Sequence, residues 1–313
     1  MIATRAGAAG LAGTLVLTGL APLVWGSTYA VTSTFLPPER PMFSALMRVL
    51  PAGLLLLAVT RKLPQAQWIP RIFALGSLNI GIVTALLFVA AYRLPGGVAA
   101  VLSASAPLFA VGFAVLAGFE RLTGRKVLAA VIGLAGVGLV VLKATACLDT
   151  LGVLAGLGAA VSRAGGTVMT KQWGRPDGVG PLAMTGWQLT ASGLLLLPVA
   201  AIVEGAPPAL DAPAIGGYLY LGLIGTAVAY ALWFRGIAKT NATSVTFLGL
   251  LSPLSATVIG WAALGQSLSP LQVLGTAIAL GGTLLGQSGT ASRATESASE
   301  PATGAPGPGS AAS

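Results

Sequence analysis

Ten apolar runs, each about twenty residues long, follow one another along the first 288 positions of the chain. A helix that crosses a lipid bilayer needs about 20 consecutive, mostly apolar residues. The runs, numbered here as spans 1 to 10, cover 12–34, 41–60, 72–92, 96–118, 126–143, 150–170, 181–203, 214–235, 242–264 and 270–288. Only 8% of the residues are charged, whereas soluble domains carry about 25%. The sequence therefore predicts an all-α membrane protein with ten transmembrane helices.

The side chains on which most enzymes depend are scarce in this sequence. The 313 residues include no histidine and one cysteine, Cys147, so neither an intrachain disulfide nor a Cys/His metal site can form. There is no Ser/His/Asp set and no Gly-x-x-x-x-Gly-Lys-Ser/Thr phosphate loop. The net charge of +9 comes from Lys and Arg scattered between the spans, which is typical of membrane loops and not of a nucleic-acid-binding face. The sequence predicts no catalysis, no cofactor or metal, and no nucleic-acid partner.

The region around span 4 is repeated at span 9. Residues 97–126 and 243–269 each carry a proline in mid-run and a polar residue at the end of the run: Pro107 and Glu120 in the first, Pro253 and Gln266 in the second, 146 positions later. Such repetition is typical of transporters built from two related halves. The alternative is chance similarity between two Ala/Gly/Leu-rich spans. We predict helix kinks at the two prolines, and Glu120 and Gln266 as a pair of helix-end residues.

The repeat also predicts how the chain is divided. A first half at 1–146 and a second at 147–288 would each contain five transmembrane helices. The remaining residues, 289–313, are small, rich in Pro and Gly and without an apolar period, so we predict a disordered cytoplasmic tail. The first apolar run, 11–35, is too long for the core of a signal peptide and is predicted to remain as a spanning helix.

Basic residues predict the orientation of the chain. Cytoplasmic loops of membrane proteins carry an excess of Lys and Arg. With the N-terminus in the cytoplasm, 12 of the 17 basic residues fall on the cytoplasmic side and 3 on the other, while Arg48 and Arg163 lie inside spans. Both termini are then cytoplasmic. Because each half has five spans, the second half enters from the opposite side, so the two repeats are predicted to be inverted.

Two arginines lie inside predicted spans, where a charge costs about 2.5–3.5 kcal/mol on insertion scales. They are Arg48 in span 2 and Arg163 in span 6, and none of the 8 Asp and Glu is predicted at mid-membrane. Such an arginine can bind an anionic group of a substrate in a water-filled cavity. Alternatively, it bonds backbone carbonyls or extends along its helix to the surface. Glu120 lies nearer the surface and is predicted to hold the turn between spans 4 and 5, which leaves coupling to protons open.

Several aromatic and polar residues lie too deep to belong to the aromatic belt at the membrane surface. They are Trp25, Tyr29, Asn79, Ser103, Gln188, Tyr230 and Trp233, and Gln188 follows Arg48 by 140 positions. Tyr230 and Trp233 are three residues apart and so share one helix face. Aromatic walls with a few amides and hydroxyls are typical of a pocket for a small amphipathic solute. Packing between helices is the alternative for each residue taken singly.

Spans 5 and 10 carry closely spaced glycines. They are Gly133, Gly136 and Gly138 in span 5, and Gly281, Gly282 and Gly286 in span 10. Small residues allow helices to approach closely in lipid, where the hydrophobic effect does not drive helices together. Packing within one chain explains the pattern. A homodimer through these two helices is the second interpretation.

Taken together, these features resemble a known family of carriers. Ten helices in two five-helix repeats, the stretch WGSTYAV at 25–31, Met47–Arg48, and the Pro107 and Glu120 pattern are similar to the EamA branch of the drug/metabolite transporter superfamily. The resemblance covers about 1–288. It implies an alternating-access exporter of amino acids or related metabolites in the cytoplasmic membrane, with spans 1, 3, 4, 6, 8 and 9 around a central cavity. Gln266 and the 162–164 stretch depart from the family pattern.

The sequence therefore predicts a metabolite exporter whose partners are a small-molecule substrate and the lipid bilayer. A multidrug exporter of lipophilic cations is an alternative, and the lack of a mid-membrane carboxylate disfavours it. A membrane scaffold or sensor that does not transport is a third hypothesis, which predicts a packed interior without a cavity.

Overall fold

The computed structural model describes residues 2–118, 123–142, 149–237, 248–266 and 268–299. Within these residues the chain is helical and contains no β-strand. The helices, numbered in chain order, are α1 Ile2–Phe35, α2 Pro41–Thr60, α3 Ile69–Gly76, α4 Ile82–Arg93, α5 Gly96–Ala104, α6 Ala106–Leu116, α7 Gly124–Leu142, α8 Thr150–Trp173, α9 Pro181–Glu204, α10 Ala212–Leu219, α11 Ala229–Ile237, α12 Leu251–Leu264 and α13 Pro270–Ser299. All ten predicted spans thus overlap helices where the chain is described.

Seven helical segments of the described chain are long and apolar enough to cross a membrane. They are Gly13–Phe35, Pro41–Thr60, Ala66–Arg93, Gly96–Leu116, Thr150–Trp173, Pro181–Glu204 and Ala212–Gly236. Two shorter apolar helical segments, Leu251–Leu264 and Pro270–Leu285, follow them. The helix α13 continues past position 288, where the sequence predicted the tail to begin. The prediction of an all-α membrane protein is confirmed at this level.

Proline and aspartate mark where several helices begin. Pro41, Pro181 and Pro270 are each the first residue of a helix, where the missing N–H removes no intrahelical hydrogen bond. Asp149 caps α8 by accepting a hydrogen bond from the Gly152 backbone N–H at 2.8 Å. This bond, together with the ion pair to Arg93 at 2.7 Å, lowers the pKa of the exposed Asp149 carboxyl. Local sequence therefore sets these helix starts.

Two helices are interrupted by π-helical turns. The first π segment, Ser77–Gly81, joins α3 to α4, and the second, Tyr220–Val228, joins α10 to α11. Wider turns of this kind are often found at functional sites. In each segment a carbonyl accepts a hydrogen bond from a side chain of another helix: Leu78 from Ser162 of α8 at 2.8 Å, and Gly225 from Trp25 of α1 at 3.1 Å.

Spans 4 and 9 are broken close to their prolines. The helix α5 ends at Ala104 and α6 begins at Ala106, so that Pro107 occupies the second position of a new helix. In span 9 a turn at Leu250 precedes α12, and Pro253 is the third residue of that helix. The proline ring cannot accept a preceding helical turn without strain. Each break therefore lies two or three residues before its proline.

The helices α7 and α13 pack against each other along their glycines. A Cβ at Gly136 would contact the backbone of Ala279 and Gly275, and one at Gly282 would lie 2.5 Å from the Gly133 backbone. The close approach predicted for spans 5 and 10 is thus made within one chain. Gly138 and Gly281 have no atom within 4 Å of a Cβ placed there. A homodimer through these helices stays a prediction.

Candidate functional site

A cavity of about 660 Å³ lies between the helices of the described chain. Seven of the nine residues predicted to surround a pocket line it: Trp25, Tyr29, Arg48, Ser103, Arg163, Tyr230 and Trp233. Pro107 and Pro253, at the breaks in spans 4 and 9, also contribute to its wall. Its volume is in the range of about 300–1,000 Å³ typical of small-molecule sites. The structure therefore gathers residues from both halves of the sequence around one space.

One wall of the cavity is aromatic. The ring of Trp25 lies 5.5 Å from that of Tyr230 and 5.4 Å from that of Trp233, in tilted and edge-on arrangements. Tyr230 in turn stacks on Phe234 at 5.9 Å. The hydrogen bond from the Trp25 indole N–H to the Gly225 carbonyl fixes the orientation of this ring. Aromatic pairs with these geometries stabilise one another beyond simple burial, so this wall is a preformed surface.

Three positively charged side chains also line the cavity. Arg48, Arg163 and Lys171 all line the cavity, and none of the described lining residues is acidic. Arg48 donates hydrogen bonds to Thr226 Oγ1 at 3.2 Å and to Thr28 Oγ1 at 3.4 Å. These partners are neutral hydroxyls and leave its charge without a counter-ion among the described residues.

Arg163 differs from Arg48 because its side chain is exposed. Among the described residues, its guanidinium has no hydrogen-bond or ion-pair partner. It lies ten residues before the end of α8, which is about 15 Å along the helix axis at 1.5 Å per residue. A guanidinium presents five N–H donors in a fork that fits carboxylate and phosphate groups. Arg163 is therefore the cavity cation best placed to bind an anion.

Sequence reasoning missed several lining residues. Thr28 and Lys171 line the cavity, and Thr226 is the hydroxyl partner of Arg48. Thr28 is three residues after Trp25 and so lies on the same helix face, a spacing that would have identified it. Thr226 carries no such signal because it lies in a π segment, where helical spacing of 3.6 residues does not apply.

Asn79 and Gln188 are placed away from the cavity. The Asn79 side-chain amide donates to Thr170 Oγ1 at 3.0 Å and to Gln188 Oε1 at 3.4 Å. Neither residue is among those that line the cavity. The three form a second polar group, called here the Asn79 cluster (Asn79, Thr170, Gln188).

The Asn79 cluster corresponds to the Arg48 cluster (Arg48, Thr28, Thr226). Gln188 follows Arg48 by 140 positions, and Thr170 follows Thr28 by 142. Each cluster joins a residue of a π segment to two neighbouring helices: α1 and α2 in one, α8 and α9 in the other. The two clusters thus have the same construction, but only one carries a charge and lines the cavity.

We expect the Asn79→Ala variant to lose stability and to keep its affinity for solutes. Removing the amide leaves the buried Gln188 oxygen without a partner, which costs about 1–3 kcal/mol. Melting temperature in detergent and solute affinity, measured on the same preparation, check this. A Ser103→Ala variant is the control. Ser103 lines the cavity and makes only a 3.5 Å contact with Tyr29, so its replacement should leave the melting temperature near that of the native chain. Weaker solute binding at an unchanged melting temperature in Asn79→Ala would contradict the assignment.

The helices are joined at the end of the bundle away from the cavity, called here the closed end. The Glu204 carboxylate accepts hydrogen bonds from the backbone N–H groups of Met42 and Phe43 at 2.6 and 2.9 Å. Ser44 contacts the hydroxyls of Tyr92 and Tyr218 at 3.0 and 3.1 Å.

Gln266 belongs to the same end. Its side-chain oxygen accepts a hydrogen bond from the Gly96 N–H at 3.0 Å, which joins spans 4 and 9. Glu120, its predicted counterpart, lies outside the described residues. None of the residues named at the closed end lines the cavity.

Apolar spanning helices around a cavity with an aromatic wall and charged groups define the protein as a membrane transporter. The family model that matches the chain is the EamA-like transporter family, at residues 13–142 and again at 150–286. The chain belongs to this family. The resemblance inferred from the repeat and its motifs is therefore confirmed.

Similar proteins include bacterial transporters. The chain is 42% identical over 255 residues to protein PecM of Dickeya dadantii, covering 82% of this chain and 86% of PecM. It is 29% identical to the inner membrane transporter YedA of Escherichia coli K12, with 80% and 83% covered. It is 28% identical to a probable terminal-alkyne amino-acid exporter of Streptantibioticus cattleyicolor, with 71% and 74% covered.

A solved crystal structure has a similar fold. Its chain is 19% identical in sequence and superimposes with a TM-score of 0.62, covering 90% of this chain and 99% of its own length. At this identity the likeness concerns the fold alone.

Proposed function

We propose that this protein exports amino acids or related small metabolites that carry an anionic group, by alternating access across the cytoplasmic membrane. The observation that carries the proposal is the cavity itself: the aromatic rings of Trp25, Tyr230 and Trp233 and the guanidinium groups of Arg48 and Arg163 line the same space. A solute with an apolar body and an acidic group fits both sets of side chains.

An inverted repeat of two five-helix halves is part of this proposal, and the pattern of helix contacts supports it. Span 1 packs against spans 8 and 9, and span 6 packs against spans 3 and 4. Span 2 packs on span 7, and span 5 on span 10. A two-fold axis that exchanges each span with the one five places later requires this pattern. The double match of the family model, at 13–142 and 150–286, also supports it.

The direction of transport is proposed from the position of the cavity. Its lining residues include Ala114, Lys171 and Phe234, which lie near the ends of α6, α8 and α11. In the predicted orientation, with both termini in the cytoplasm, these ends face the cytoplasm and the closed end faces outwards. The structure then corresponds to a state loaded from the cytoplasm. The exporter and inner membrane descriptions of two relatives are consistent with this direction.

The two alternatives fit the cavity less well. A multidrug exporter of lipophilic cations would bring a positive solute against Arg48 and Arg163, which like-charge repulsion disfavours. A scaffold that does not transport predicts a packed interior, whereas a space of about 660 Å³ is present.

We expect inverted membrane vesicles that contain the protein to accumulate at least one radiolabelled solute from a panel of amino acids and related carboxylic acids. Vesicles without the protein are the control for passive entry. Uptake should saturate, because alternating access requires one loaded cavity per cycle. Uptake indistinguishable from the control vesicles across the panel would contradict the proposed function.

A further inference from the structure

We propose that the transported solute carries a net negative charge, so that the cavity takes an organic anion in preference to a zwitterion of the same size and shape. This inference rests on the proposed function and narrows its substrate class. It distinguishes, for instance, a 2-oxo acid from the corresponding neutral amino acid, which differ at one substituent.

The charges that line the cavity are the first argument. Arg48 and Arg163 line it without an acidic partner among the described residues, and no described lining residue is an aspartate or glutamate. Lys171 also lines it but already has an interaction partner, so it is not counted here. A neutral amino acid would present a carboxylate to these cations, and its ammonium group would lie among like charges without a carboxylate to receive it. Charges interact more strongly within a membrane protein than in water. Repulsion between the ammonium group and the cavity cations therefore offsets much of the binding free energy that attraction of the carboxylate contributes.

The aromatic wall does not supply a substitute for the missing carboxylate. An ammonium group can be held over an open aromatic face by a cation–π interaction. Here the ring of Trp25 is in contact with Tyr230 and Trp233, and Tyr230 is stacked on Phe234. Contacts between the rings thus occupy part of the faces that such an interaction needs. The wall is better suited to the apolar body of a solute.

The remaining polar side chains that line the cavity carry neutral hydroxyls. Thr28, Ser103 and Thr167 are among the residues that contribute them, and the Thr167 hydroxyl already donates to the Arg163 carbonyl at 2.7 Å. Thr28 accepts from Arg48 and donates to no carboxylate among the described residues. Hydroxyls of this kind can orient an anion held by Arg163, but they do not neutralise a cation.

The test uses solutes in pairs that differ in net charge and little else. The full chain is reconstituted in liposomes, and entry of radiolabelled 4-methyl-2-oxopentanoate is compared with that of leucine, and entry of glutamate with that of glutamine, at zero membrane potential. We expect the more negative member to enter at least tenfold faster in each pair that is transported. Equal or faster entry of leucine and glutamine would overturn the inference and leave the proposed function intact. Failure of these four solutes and of every member of the panel described above would instead contradict the proposed function.

A second measurement reads the charge of the cavity without a substrate. The fluorescence of the native chain is quenched with iodide and with caesium at equal ionic strength. The same measurement on a variant in which Trp25 and Trp233 are both replaced by phenylalanine is subtracted, which leaves the contribution of these two residues. We expect iodide to be several-fold more effective, and Arg163→Gln to reduce this ratio. Equal quenching by the two ions would overturn the inference, whatever the transport result.

Discussion

Replacing Arg163 by glutamine is expected to lower transport at least tenfold. The Arg163 guanidinium lines the cavity, is exposed and has no partner among the described residues, so an anionic solute competes with none of those residues for its donors. A hydrogen bond to a charged group contributes about 1.5–3 kcal/mol, and each 1.4 kcal/mol is a factor of about ten in affinity. Initial rates of solute entry into liposomes, measured over a range of concentrations, check the prediction.

Two companion variants separate the role of this side chain from general effects of charge. Arg175→Gln removes a cation in the loop that follows α8, outside the cavity, and should transport as the native chain does. Arg163→Lys keeps the charge and loses the planar fork, so it should recover part of the activity. Transport by Arg163→Gln at the native rate, with normal amounts of folded protein, would remove Arg163 from the binding site.

Replacing Gly136 by valine is expected to have the largest effect on folding. A Cβ at this position contacts the Ala279 backbone and lies 2.7 Å from the Gly275 carbonyl oxygen, and backbone cannot move aside as a flexible side chain does. Overpacking costs about 1–3 kcal/mol or more, so α7 and α13 would be forced apart. We expect melting in detergent at a temperature lower by at least about 2 °C, together with a reduced yield of folded protein.

Gly138→Val is the matched control. It lies in the same helix, and no atom is within 4 Å of its Cβ position, so the melting temperature should stay near that of the native chain. If both variants melted alike, the loss would come from valine in α7 and not from the contact with α13. A normal melting temperature for Gly136→Val would show that the two helices are not packed as described.

The sequence was a good guide to where helices lie and which residues meet. Pro41, Pro181 and Pro270 begin helices because the missing N–H is harmless only there. Trp25, Tyr230 and Trp233 were predicted to surround a pocket on the argument that they lie too deep for a surface belt. Their rings do come together, although the chain separates Trp25 from Trp233 by more than two hundred positions. Depth in the membrane and helical spacing carry this information.

What the sequence did not predict depends on backbone geometry. The π segments at Ser77–Gly81 and Tyr220–Val228 shift the helix register, so a residue such as Asn79 turns towards Gln188 and Thr170 instead of the cavity. Composition marks neither segment, because the wider turn is held by contacts with other helices. The partners of Arg48 were also beyond sequence reasoning, since Thr226 reaches it only through the second π segment.

The difference between the Arg48 and Asn79 clusters bears on the resting state of the proposed carrier. In a carrier with two identical inverted halves, the inward-facing and outward-facing forms would be related by a two-fold rotation about an axis in the membrane plane and would have equal free energies. An arginine in one half and a glutamine in the other make the two forms chemically unequal. The empty protein would then favour one side of the membrane before any solute or ion gradient acts on it.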